Sequence, residues 1–141
     1  MQNPDKQVIK VSVAIDAPVE KVWKLWISPY AITGWYNASP DWHTPRASND
    51  LRAGGTFNFR MEAKDGSAGF DFSGVYTTVI QNEHIASTLD DGRKVVTEFS
   101  KANGGTRVTQ LFEAEDENTP ELQQAGWQAI LDNFALYVKN H

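Results

Sequence analysis

The chain has 141 residues, of which 40% are hydrophobic and 22% charged, a composition that fits one globular domain over residues 1–141. Its formal net charge of -5 argues against a nucleic-acid partner, because phosphate backbones are bound by clustered Lys and Arg. The absence of cysteine excludes disulfides and thiolate chemistry, and the lack of an export signal or a membrane-spanning apolar run leads us to expect a soluble cytoplasmic protein, monomeric or homodimeric.

The first third of the chain is predicted to form one strand and two short helices. Residues 8–16 alternate in polarity, which predicts a half-buried strand with one apolar face formed by Ile9, Val11, Val13 and Ile15. Pro18 is suited to a helix start, and the helix that follows has an apolar face formed by Val19, Val22, Trp23, Trp26 and Ile27. Ser28 and Pro29 cap a second short helix that extends to about Trp35.

Between residues 41 and 115 the apolar period changes to two, which predicts a run of antiparallel strands. Gly74 interrupts the rhythm of residues 70–80 as a β-bulge does. Asp91-Gly92 and Asn103-Gly104 each separate two apolar runs, and such dipeptides predict hairpin turns in which both central residues have positive φ. Consecutive hairpins of this kind form a meander.

The last predicted element is a long helix over residues 120–138, capped by Thr119 and Pro120. One apolar stripe runs along it, formed by Trp127, Ile130, Leu131, Phe134, Tyr137 and Val138. A glycine in a helix interior costs about 1 kcal/mol relative to alanine. We therefore predict that Gly126 meets a local packing need, such as the close approach of another backbone.

Six motifs occur together and in order: Trp35-Tyr36, residues 50–57, Gly74-Val75-Tyr76, residues 90–93, residues 105–109 and residues 126–131. In this set the chain resembles the START-like helix-grip superfamily, also called SRPBCC. Within it, the chain is similar to the C-terminal domain of the activator of the ninety-kilodalton heat-shock protein ATPase. The resemblance extends from about residue 8 to residue 138.

The resemblance implies an α+β fold of the order β-α-α-β6-α, in which a curved antiparallel sheet wraps around a long C-terminal helix and leaves a cavity between them. Members of the superfamily bind lipids, sterols, polyketides or plant hormones, and some are cyclases or aromatases. Such a fold carries many functions, so the function has to be argued from the site.

No catalytic group, metal site or cofactor site is predicted. The three histidines show no paired metal-ligand spacing, and there is no cysteine to join them. Asp90 and Asp91 lie in a hairpin turn, where carboxylates serve turn geometry better than acid-base chemistry. The glycine pairs at residues 54–55 and 104–105 lack the context of a phosphate-binding loop.

The inner face of the sheet is the predicted binding surface. Period two places Gln110 between Val108 and Phe112, and Thr97 between Val95 and Phe99, so a few polar groups lie on an apolar wall. They either orient a ligand or bond to each other or to a buried water. The aromatic residues either line a pocket or fill a core, and Trp35 and Tyr36 are predicted to border its entrance. The predicted ligand-binding set is Trp35, Tyr36, Phe57, Phe59, Phe72, Tyr76, Thr97, Phe99, Gln110, Phe112, Trp127, Ile130, Leu131 and Phe134.

Three functions follow as hypotheses. The first is a non-catalytic cavity protein that binds a small apolar or aromatic molecule. The second is a module that interacts with a chaperone, based on the resemblance and on acidic side chains within residues 113–117. The third is a cyclase- or hydrolase-like enzyme with Tyr76 and Glu98 as candidate acid or base, although neither has an evident activating partner.

Overall fold

The computed structural model of the protein describes residues 7–141. These residues form seven strands and three helices in the predicted order β-α-α-β6-α. The strands are β1 (Val8–Ile15), β2 (Trp42–Asn49), β3 (Thr56–Ala63), β4 (Gly69–Ile80), β5 (His84–Leu89), β6 (Lys94–Ala102) and β7 (Gly105–Glu113). The helices are α1 (Val19–Ile27), α2 (Pro29–Trp35) and α3 (Pro120–Lys139). The predicted α+β helix-grip class is confirmed.

All seven strands belong to one antiparallel sheet with the order β1-β7-β6-β5-β4-β3-β2. The strands from β2 to β7 follow each other as a meander, whereas β1 pairs with the last strand, β7. Helices α1 and α2 connect β1 to β2, which are the two edges of the sheet. The sheet curls around α3 as a half-barrel.

Glutamine side chains of α3 bind the backbone of the edge strand β1. The amide nitrogen Nε2 of Gln128 donates to the carbonyl of Ser12 at 2.9 Å, and its Oε1 accepts from the amide of Ser12 at 3.4 Å. One turn earlier, Gln124 donates to the carbonyl of Lys10 at 3.2 Å. An edge strand presents unpaired backbone groups, so these bonds satisfy part of that edge and fix α3 against it.

The C-terminal half of α3 lies in the tightly packed part of the core. Phe134 is fully buried, with 0% of its surface exposed, between Leu131 and Val138 on the same helix face. Its ring centroid lies 4.6 Å from that of Trp35 on α2 and 4.9 Å from that of Trp26 on α1. Because this end of α3 is tightly packed, any open space has to lie towards its N-terminal half.

The two predicted hairpin turns differ in conformation. Asn103 and Gly104 both have positive φ, at 49° and 85°, as predicted. At Asp91-Gly92 only the glycine does, at 91°, so the prediction for Asp91 is wrong. The reason is a longer loop: the amide of Leu89 bonds to the carbonyl of Arg93 at 2.8 Å, which encloses three residues rather than two.

The bulge in β4 is also displaced from its predicted position. The pairing of β4 with β5 shifts between Tyr76 and Thr78, whereas Gly74 stays in register opposite Leu89. Gly74 has a packing role instead, since a Cβ there would lie 2.5 Å from the carbonyl oxygen of Thr88 and 3.0 Å from the ring of Phe57. The bulge leaves Tyr76 on the buried face.

Gly126 does not have the predicted close neighbour. A Cβ at this position would meet no atom of another element within 4 Å, so no backbone approaches it. The predicted packing role of Gly126 is therefore wrong, and the space beside it is open.

Candidate functional site

Two adjoining spaces lie between the sheet and the helices. The first, which we call the inner cavity, has a volume of about 50 Å³ and is lined by residues of β2–β7 and of all three helices. The second, which we call the vestibule, has a volume of about 330 Å³ and lies between the β3–β4 hairpin, residues 115–118 and the N-terminal half of α3. Three aromatic residues line both spaces and are called the aromatic partition: Tyr36, Phe72 and Trp127.

The inner cavity carries two pairs of bonded polar groups on an otherwise mainly apolar wall. Gln110 on β7 donates from Nε2 to the hydroxyl of Thr97 on β6 at 3.1 Å. The hydroxyl of Tyr76 donates to Oδ1 of Asn49 at 2.6 Å. Strand pairing explains the first bond, because Thr97 and Gln110 are direct partners in the β6–β7 register. Their inward orientation is as predicted.

The small size of the inner cavity bears on the two alternatives left open by the sequence, a lined pocket or a filled core. A buried water needs about 10–15 Å³, whereas sites for small organic molecules measure roughly 300–1000 Å³. A space of about 50 Å³ therefore accommodates a few waters and no organic ligand. The reason is packing of aromatic rings, as between Phe57 and Tyr76, whose centroids lie 5.1 Å apart.

The aromatic partition packs against a buried aromatic residue of the sheet. The indole of Trp127 on α3 stacks on the ring of buried Phe112, with centroids 3.9 Å apart and planes at 9°. Its contact with Phe72 on β4 is edge-to-face at 6.0 Å, and Phe72 lies 5.9 Å from Tyr36. The edge-to-face contact is one of the geometries that aromatic pairs prefer. Helix α3, the sheet and the end of α2 meet at this partition.

The vestibule is open, and both apolar and polar residues line it. The apolar ones include Met61, Phe70, Leu122 and Ile130, and the polar ones are Arg93, Glu115, Asn118 and Gln123. The guanidinium of Arg93, whose side chain is 17% exposed, is bound to the carboxylate of Asp91 at 2.8 Å. A mainly apolar concavity with a few fixed polar groups is the usual make-up of a small-molecule site.

Gln123 fixes the segment between β7 and α3 that forms the floor of the vestibule. Its Nε2 donates to the carbonyls of Asn118 at 2.8 Å and Glu115 at 3.2 Å, and its Oε1 accepts from the amide of Glu115 at 2.9 Å. A buried glutamine with both ends bonded to backbone holds this segment in one conformation. The backbone that bounds the vestibule is thus held by the bonds of Gln123.

Acid-base chemistry finds no support in these groups. Burial raises the pKa of Tyr76, and it also raises the pKa of Tyr36, with a smaller contribution from the neighbouring Tyr76. Both phenols are therefore protonated at neutral pH and are poor proton donors. Glu98 lies on the outer face of β6, exposed, with His84 at 3.6 Å. It does not line the inner cavity or the vestibule.

Most predicted binding residues lie together around these spaces, and four do not. The inner cavity or the vestibule is lined by Trp35, Tyr36, Phe57, Phe59, Phe72, Tyr76, Thr97, Gln110, Trp127 and Ile130. The remaining four pack elsewhere in the core as Phe99, Phe112, Leu131 and Phe134. Trp35, only 2% exposed, lines the inner cavity but not the vestibule, so of the two predicted entrance residues only Tyr36 borders the opening.

Sequence reasoning missed most of the vestibule. Its additional lining residues are Ala38, Met61, Phe70, Arg93, Glu115, Asn118, Leu122, Gln123 and Gly126. Met61 and Phe70 continue the alternation of β3 and β4 and carried a usable signal. The loop residues carried none, since the path of residues 114–119 is set by tertiary contacts such as those of Gln123.

Within residues 7–141 no group of three or more His, Asp or Glu side chains is arranged to hold a metal ion. No helix in that part of the chain is both long and apolar enough to cross a membrane.

The fold and the spaces enclosed by it define a helix-grip protein of the START-like superfamily, SRPBCC. The chain belongs to the family described as activator of Hsp90 ATPase homolog 1-like protein, whose model matches residues 16–139. No match was found among proteins with curated functional descriptions.

Solved structures agree with this assignment. The AHSA1-like protein from Aeromonas hydrophila is 46% identical, with a TM-score of 0.89 over 95% of this chain and 93% of its own. Chr148 from Cytophaga hutchinsonii is 51% identical, with a TM-score of 0.82 over 94% and 92% of the two chains. CV1439 from Chromobacterium violaceum, at 21% identity and a TM-score of 0.80 over 92% and 96%, shares the fold.

Proposed function

We propose that the protein binds a small, mainly apolar or aromatic molecule without catalysing its conversion, and that the molecule lies in the vestibule against the aromatic partition. The observation that carries this proposal is an open concavity of about 330 Å³ with a mainly apolar lining. That volume is at the lower end of the roughly 300–1000 Å³ range of small-molecule sites. A ligand there is therefore small, of one to three rings.

The polar residues of the vestibule would orient the ligand. Asn118 and Arg93 line the same space as the apolar residues Met61 and Ile130. A molecule with an apolar body and one polar substituent would suit such a lining. The inner cavity would stay closed behind Trp127 and Phe72, because its volume of about 50 Å³ holds only waters.

Ligand-dependent stabilisation tests the proposal. A library of neutral ring compounds is screened by thermal shift, and a ligand present at 100 times its dissociation constant adds about 2.7 kcal/mol to the free energy of unfolding. Chemical shift changes in a ¹⁵N spectrum should then cluster around the vestibule. Failure of every compound to stabilise the protein would sink the proposal.

A matched pair of variants on β4 locates the site. Phe70 lines the vestibule and is 48% exposed, whereas Ile80 is equally exposed at the other end of the same strand. We expect Phe70→Ala to weaken ligand binding and Ile80→Ala to leave it unchanged. Equal effects of the two variants would place the ligand elsewhere.

A second candidate is a module that interacts with a chaperone. It is favoured by the family, whose description names an activator of the Hsp90 ATPase, and by an exposed apolar rim at Phe70 and Leu122. The exposed acidic residues Asp116 and Glu117 lie in the segment between β7 and α3 that bounds the vestibule, and they would suit a basic partner surface. Pull-down with the cognate chaperone and stimulation of its ATPase test this function. Leu122→Asp should abolish both effects, and their absence with the unmodified chain counts against the module.

A further inference from the structure

Gly126 lies in the interior of α3, and neither a positive φ nor a helix end explains a glycine at this position. Its φ lies outside the left-handed region that favours glycine. It is not at the end of the helix, which extends from Pro120 to Lys139. Glycine is the poorest helix former after proline, so a residue with a side chain would stabilise α3 here unless something excludes it.

At two other glycines of this protein, neighbouring atoms leave no room for a side chain. A Cβ on Gly34 in α2 would lie 2.7 Å from the ring of Tyr137, and one on Gly74 would lie 2.5 Å from the carbonyl oxygen of Thr88. At Gly126 no atom of another element lies within 4 Å of such a Cβ. The space beside Gly126 is therefore open, and since Gly126 lines the vestibule next to Trp127, that space belongs to the vestibule.

We propose that Gly126 is a specificity-determining residue that sets how large a ring system the vestibule admits against Trp127. The proposal rests on ligand binding in the vestibule and adds the residue that controls ligand size. A side chain at position 126 would project from α3 into a space of about 330 Å³ and take the volume that a second or third fused ring needs. One-ring ligands would still fit against Met61 and Phe70, which are paired on adjacent strands.

The test compares Gly126→Ala and Gly126→Leu with Ala125→Leu, since Ala125 is exposed on α3 and does not line the vestibule. Affinities for phenol and 2-naphthol are measured by calorimetry. We expect Gly126→Leu to weaken 2-naphthol binding by about tenfold or more, and phenol binding by less than about threefold. Ala125→Leu should change neither.

Thermal unfolding gives an independent readout. If the space is open, Gly126→Ala gains helix propensity without a clash, and its melting temperature rises by about 3 °C. Ala125→Gly should lower it by a similar amount and calibrates the cost of glycine in this helix. A lower melting temperature for Gly126→Ala contradicts an open space and overturns the inference.

The binding outcomes separate the two proposals. If the unmodified protein binds either probe and Gly126→Leu binds both as tightly as before, the vestibule is a site but Gly126 does not set ligand size. If the unmodified protein binds neither phenol nor 2-naphthol at millimolar concentration, ligand binding in the vestibule fails, and the role of Gly126 fails with it.

Discussion

The inner cavity and the vestibule share three aromatic side chains but are built from different parts of the chain. The walls of the inner cavity come mostly from inward-facing strand residues, such as Thr97 and Gln110. The aromatic and branched side chains among these residues leave a space of only about 50 Å³. The vestibule, of about 330 Å³, is bounded by a hairpin, a connecting segment and a helix start. In this protein the inner face of the sheet is therefore mostly packed, and the irregular segments at its edge bound the larger open space.

The largest expected effect concerns the tightly packed C-terminal half of α3. Phe134→Ala removes a fully buried ring from contact with Trp26 and Trp35. We expect the free energy of unfolding to fall by about 3–5 kcal/mol, because the surrounding core cannot collapse fully. Urea unfolding measures this, with an unchanged m-value as the check for two-state behaviour. A loss below about 1 kcal/mol would contradict a tightly packed end.

The buried hydrogen bond between Gln110 and Thr97 tests whether the polar groups of the inner cavity are structural. Thr97→Val leaves the amide of Gln110 without its partner, and we expect a loss of about 1–3 kcal/mol. The double variant with Gln110→Leu removes both partners and should recover much of that loss. A double-mutant cycle from urea unfolding gives the coupling, and additive losses would show that the two side chains act separately.

Tyr76→Phe removes the hydroxyl that bonds to Asn49. We expect the free energy of unfolding at neutral pH, measured with urea, to fall by about 0.5–1.5 kcal/mol.

The phenol of Tyr76 also predicts a dependence of stability on pH. Because burial raises the pKa of Tyr76 and Tyr36 in the folded state, the unfolded chain loses these protons first, near its ordinary pKa of about 10. Stability is thus retained below pH 10 and falls as the pH rises above it. The free energy of unfolding is measured from roughly pH 8 to pH 11. We expect it to fall less steeply with pH in Tyr76→Phe than in the unmodified protein.

The smallest effect is expected at the rim of the vestibule. Leu122 is 60% exposed, and Leu122→Ala should change the free energy of unfolding by no more than about 0.5 kcal/mol. If the vestibule binds an apolar ligand, the same variant lowers its affinity, which calorimetry measures. A large loss of stability would show that Leu122 belongs to the core. It would contradict the distinction between a packed inner cavity and an open vestibule.

Much of the inner cavity followed from the sequence because a strand has only two faces. Once Val108 and Phe112 were placed inside, Gln110 had to point inside as well, and the same parity placed Thr97. The volume left between those side chains did not follow, since it depends on how rings such as Phe57 and Tyr76 interlock. The vestibule was missed for a further reason: residues 115–118 have no periodicity, and their path depends on bonds to Gln123.

By itself the sequence determined the order of elements and the identity of the buried faces, because periodicity, caps and turn dipeptides are local signals. It also carried the family resemblance, which implied the helix-grip class and which the match over residues 16–139 confirmed. Tertiary structure alone decided that the interior is nearly filled, that the open space lies outside Trp127, and that Gly126 faces that space rather than another backbone. These are properties of distances between elements far apart in the chain, and no local pattern encodes them.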